Sequence, residues 1–135
     1  MKNLRPALRS VGAVLIGFLV IALGTILTLE VWLGGISYAE SSNSTLAFAT
    51  VGACLSGLAG GMVAAFLASR RPLAHAFGLI LPIGIDTSVF LASGERTDPL
   101  WFDLAGSATL MLSAIAGGVL LARLRCKTSR LRSPA

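Results

Sequence analysis

One carboxylate, Asp86, stands inside a long apolar stretch, GLILPIGIDTSVFLA, with the hydroxyls of Thr87 and Ser88 directly after it. A carboxylate flanked by hydroxyls in apolar surroundings can bind a proton, a cation or a polar substrate group. Pro82 has no N–H to give to the carbonyl of Gly78, and Gly84 loosens the next turn, so the backbone around Asp86 is expected to be irregular. Two accounts stand for this residue. It either hydrogen-bonds across a bundle to Thr50, Ser107 or Thr109 and fixes packing, or it lines an ion, proton or substrate site that opens outward. His75 precedes it by eleven positions, which returns to nearly the same helix face but leaves about 16 Å along the axis, too far for contact. Beside Arg71, His75 reads as an interfacial histidine. Glu30 and Asp103 are the remaining carboxylates near apolar runs; a vestibule for an Asp86 site would use both. Each lies about eight residues from the centre of its run, roughly 12 Å toward one end, and reads as a side chain reaching for interfacial water, with Trp32 and Trp101 beside it.

No catalytic or metal constellation accompanies these residues. One histidine and two separated cysteines do not make a zinc site, and no CxxC, Walker or HExxH spacing occurs. Cys54–Gly57 resembles the serine segment of intramembrane rhomboid proteases but lacks its first glycine, and His75 stands at the wrong depth to serve Ser56 as base. The expectation is a protein that is not an enzyme and takes no cofactor. Cys54 reads as a small packing residue and Cys126 lies in the basic tail, so no disulfide between them is expected.

The elements that must position these groups are four apolar runs, about 11–33, 46–67, 74–92 and 100–121. Each is about 20 residues, enough to cross a hydrocarbon core of roughly 30 Å as a helix. The composition, 55% hydrophobic and 13% charged, agrees with a lipid surround. Ten of the eleven basic residues fall in three segments: Lys2, Arg5 and Arg9; Arg70 and Arg71; Arg123, Arg125, Lys127, Arg130 and Arg132. All six acids fall elsewhere. Basic loops stay cytoplasmic, which places both termini inside and two loops outside. The pI of about 10.3 then reflects orientation, with no nucleic-acid partner expected; its partners are the anionic lipids of the cytoplasmic leaflet. The first 39 residues, ending Ser37-Tyr38-Ala39, share the layout of a signal peptide. Their apolar run of about 23 residues exceeds the usual 7–15, so a retained span is expected. Asn43-Ser44-Thr45 has the form of a glycosylation sequon and is expected to cap the second helix.

The second and fourth runs echo each other. Ser56–Leu67 (SGLAGGMVAAFL) and Ser113–Leu124 (SAIAGGVLLARL) share six of twelve residues at an offset of 57. This suggests two helical hairpins related by a pseudo-twofold axis along the membrane normal. In the second run Gly52, Ser56, Gly60 and Ala64 form one strip of small residues, and Ala53, Gly57, Gly61 and Ala65 a second. In the fourth, Ala105, Thr109, Ser113 and Gly117 form a comparable strip, with Gly118 beside it. Small residues permit close backbone approach in lipid. The second and fourth helices are therefore expected to be the tight inner pair, or one of them a homodimer seam.

The stretch AGGMVAAFLASRRPLAHA (Ala59–Ala76) resembles small bacterial four-span membrane proteins, in which a double glycine, alanines, a basic pair with proline and a histidine follow in that order. The resemblance covers 18 of 135 residues and implies a bacterial inner-membrane location without implying an activity. Small multidrug-resistance transporters need a mid-span carboxylate in the first helix, where this chain has Glu30 near an end. The whole reads as one all-α membrane domain over residues 1–135, a transmembrane four-helix bundle. The function expected is a structural or accessory subunit, as a homodimer or within a larger membrane complex. The alternative is a small transporter or channel using Asp86.

Overall fold

In the computed structural model of the chain, the described residues are 4–37, 39–68, 71–94 and 98–131, with side chains outside the description at 4–7 and 129–131. Lys2, Tyr38, Arg70 and Arg132, and the side chains of Arg5 and Arg130, therefore lie outside the described residues. The described chain is helical. Helix α1 (Leu4–Ile26) continues as a π-helical segment, Leu27–Trp32; α2 is Asn43–Leu67, α3 Pro72–Gly78, α4 Ile80–Ser93 and α5 Leu100–Leu131. Helices α3 and α4 form one span broken at Leu79. Four segments are long and apolar enough to cross a membrane: Leu8–Trp32, Asn43–Leu67, Pro72–Ser93 and Leu100–Thr128.

Local chemistry sets the ends. Ser42, not Asn43, caps α2: its Oγ accepts the Thr45 N–H at 3.2 Å, and Asn43 is already helical. The sequon is thus one residue past the cap. Pro72 opens α3, where its missing N–H costs nothing. Gly94, at φ +75, closes α4 in the left-handed region that a Cβ would disfavour. The fourth span runs about seven residues beyond the apolar stretch because the basic tail carries no helix breaker before Leu131.

The interior is made of small residues. Ala13, Ile21, Ala49, Ser56, Ala64, Ala65, Ala76, Ser113 and Ala114 are buried, whereas Leu15, Leu19, Leu23, Val31, Trp32, Phe48, Phe66, Val89 and Leu112 are exposed. A water-soluble bundle sorts these types the other way. Lipid tails are as apolar as leucine, so large side chains lose nothing by facing them, and close packing falls to Gly, Ala and Ser.

Helix α2 is the hub, and its two strips serve two neighbours. The strip Gly52, Ser56, Gly60, Ala64 meets α1 running antiparallel. A Cβ on Gly17 would fall 2.7 Å from the Ala64 Cβ, and one on Gly24 2.6 Å from Ser56 Oγ. The strip containing Gly57 and Gly61 meets α5 running parallel. A Cβ on Gly57 would strike Ser113 Oγ, one on Gly61 the Ala114 carbonyl, and one on Gly117 the Leu58 carbonyl. Gly118 abuts Ala76 of α3. The echoing segments of α2 and α5 therefore lie against each other side by side. The outer helices do not follow the same symmetry: α1 lies along α2, while α3 rests on both α2 and α5. At the basic end Arg125 Nη2 donates to the Phe66 carbonyl at 2.9 Å, and its guanidinium sits 5.5 Å from the Phe66 ring centre.

Candidate membrane-embedded polar site

Hydroxyls in the spans bond to their own helices, apart from Thr25, whose Oγ1 is buried without a hydrogen-bond partner among the described residues. Ser56 donates to Gly52 O at 2.8 Å, Thr87 to Ile83 O at 2.8 Å, Ser88 to Gly84 O at 2.7 Å and Thr109 to Ala105 O at 2.8 Å. In each case the i−4 carbonyl accepts, which lets a hydroxyl enter lipid without an external partner. It also disposes of Ser56 as a nucleophile: the side chain is buried against Gly24 with its proton committed to its own helix.

A carboxylate cannot use that device. Ionised, it only accepts, and a helix interior has no spare N–H to offer. Asp86 is in that position. It lies about 5 Å past the midpoint of the Pro72–Ser93 span at helical rise. Its side chain is exposed on the outside of the bundle, and among the described residues no hydrogen bond or ion pair reaches it. The expected bonds to Thr50, Ser107 or Thr109 do not form. Helical phase is the reason. Thr87, one residue and about 100° further round, is the side chain that faces α5; its Oγ1 lies 2.8 Å from Ser107 Oγ. Thr50 is exposed and bonded to Leu46 O.

The other expected site residues are not drawn to Asp86. Ser88 is exposed. Glu30 is exposed at the π-helical end of the first span, where its Oε2 lies 3.9 Å from the position a Cβ on Gly35 would take. Asp103 differs from the reading of a side chain reaching outward. It is half-buried, and its Oδ2 is enclosed without a hydrogen-bond partner among the described residues. Asp103 precedes Ser107 by one turn, and its backbone carbonyl accepts the Ser107 hydroxyl at 3.1 Å. Among the described residues no group of three or more His, Cys, Asp or Glu could hold a metal ion. Cys54 and Cys126 are free of disulfides.

Two residues of the packing core escaped the reading of sequence: Gly17 and Gly24 of α1, the counterparts of the α2 strip. The signal was there, a seven-residue glycine spacing with Thr28 four further on, but a lone pair in a leucine-rich helix does not stand out. His75 Nδ1 lies 3.1 Å from the Arg71 carbonyl, one turn back, at the basic end.

Comparison with family models, curated proteins and solved structures finds no match to this chain. The functional reading therefore rests on the geometry alone.

Proposed function

We propose that the chain is a non-enzymatic multi-pass protein of the bacterial inner membrane, both termini cytoplasmic, acting as a structural or accessory component of a membrane assembly. That assembly is a homodimer or a larger complex, and it covers the α4 face bearing Asp86. The observation that carries this reading is the exposed, unbonded carboxylate near mid-span. Left against lipid it costs about 2.5–3.5 kcal/mol on insertion scales, a cost that a neighbouring protein surface with donors removes. The small-residue strips do not supply the seam: Gly52, Ser56, Gly57, Gly60, Gly61, Ser113, Gly117 and Gly118 are all buried within the single chain. The seam is then α4, where Asp86, Val89 and Phe90 are exposed within about one turn.

A photoreactive side chain at Val89, flashed in native membranes, tests this. A discrete protein adduct is expected, and Asp86→Leu should reduce it several-fold. Adducts to lipid alone would overturn the reading. So would a proton-linked flux in proteoliposomes that Asp86→Asn abolishes, since that result assigns Asp86 to transport.

A further inference from the structure

At the basic end, α1 leans on α3 but makes little contact with α4, leaving a lateral groove of about 520 Å³. The third span is interrupted at Leu79, between α3 and α4, and Gly78 leaves the floor of the groove without a side chain. A Cβ there would come within 3.1 Å of Val14 Cγ2. Val14 and Leu15 form one wall, Leu81, Pro82 and Ile85 the other, and Ser10 and His75 stand at the mouth.

We propose that this groove holds one acyl chain of an anionic glycerophospholipid from the leaflet at the basic end, with the headgroup against Arg9 and Arg71. The lining is apolar apart from the mouth. From Ala74 to Ile85 the groove runs eleven residues, about 16 Å at helical rise. Half of a 30 Å hydrocarbon core is about 15 Å, so the groove is one leaflet deep and ends just below Asp86. Arg9 adjoins Ser10, and the Arg71 carbonyl lies 3.1 Å from His75 Nδ1; both arginines are exposed. Glu30, Glu40, Asp98 and Asp103 belong to the far ends of the spans and Asp86 lies past Ile85, the last lining residue, so no described acid repels an anion at the mouth. Charge and depth together select a lipid over a protein helix, which would not need the cations. The site does not depend on how Asp86 is covered.

Native mass spectrometry of the chain released from micelles doped with phosphatidylglycerol or phosphatidylcholine of the same acyl chains tests the proposal. Wild type should retain one phosphatidylglycerol per chain, preferred over phosphatidylcholine by about thirtyfold, as two interfacial cations would produce. Arg9→Gln with Arg71→Asn should erase the preference while keeping retention. Ala74→Trp, which fills the groove, should lower retention of both lipids about tenfold. Equal retention of the two headgroups by wild type would overturn the proposal, and that comparison requires no variant to fold. Retention by Ala74→Trp equal to wild type would also overturn it.

Discussion

Single residues divide sharply by what a Cβ would meet. At Gly61 it would run into the Ala114 backbone, which cannot move aside as a side-chain tip can. Gly61→Leu should therefore separate α2 from α5, at a cost of about 3 kcal/mol or more, as overpacking does at its worst. A fall of many degrees in the detergent melting temperature is the expected readout. A Cβ on Gly12 or Gly106 would meet nothing within 4 Å, and Gly12→Ala should leave stability unchanged or raise it by about 0.4–1 kcal/mol, with no fall in melting temperature. A fall at position 12 matching that at position 61 would show that α1 and α2 are not packed as described. The hydroxyl pair Thr87–Ser107 offers a smaller test. Thr87→Val should cost about 0.6 kcal/mol, the mean for hydrogen bonds between membrane helices. Spacing made the glycine strips of α2 visible in the sequence. The direction of Asp86 was not, because a 100° rotation decides between α5 and the outside, and apolar residues on every face of a span give no phase reference.

Helices carry the next set of consequences. The four spans were legible because runs of about 20 apolar residues admit few other readings. The break at Leu79 was foreshadowed by Pro82 but not its position, since Leu79 itself is the largest fully buried side chain, locked among Ile21, Ala64, Ile83 and Ala114. Leu79→Ala should leave a cavity in that cluster, costing about 2–5 kcal/mol by chemical or thermal unfolding. The α2 start yields a cleaner contrast. Ser42→Ala should cost about 1 kcal/mol through loss of the cap, whereas Asn43→Ala should cost little. Sequence favoured Asn43 because the motif drew attention to it, and Ser, Ser and Asn in succession are near-equal caps.

For the whole molecule, the sorting of small residues inward and large residues outward is the property from which the rest follows. The Trp32 and Trp101 side chains are exposed on the first and fourth spans at the end away from the basic tail. Cys126, exposed in the basic tail, should resist a membrane-impermeant thiol reagent in intact cells and react in inverted vesicles. Reaction from the outside would reverse the proposed orientation. Both helical hairpins form, α1 packing on α2 and the third span on α5, and the echoing segments of α2 and α5 touch between them. The outer helices differ in that the third span is broken at Leu79.

The π-helical segment at the top of the first span, where the Leu33 N–H donates to Thr28 O across five residues at 3.2 Å, has a bearing on length. A turn closed over five residues holds one more amino acid than an α turn. This is therefore where the chain can shed a residue and stay wound: removing Leu29 should tighten the coil to an α turn and leave Glu30 and Trp32 close to their present faces, whereas the same deletion in the α-helical part of the span would turn everything beyond it by about 100°.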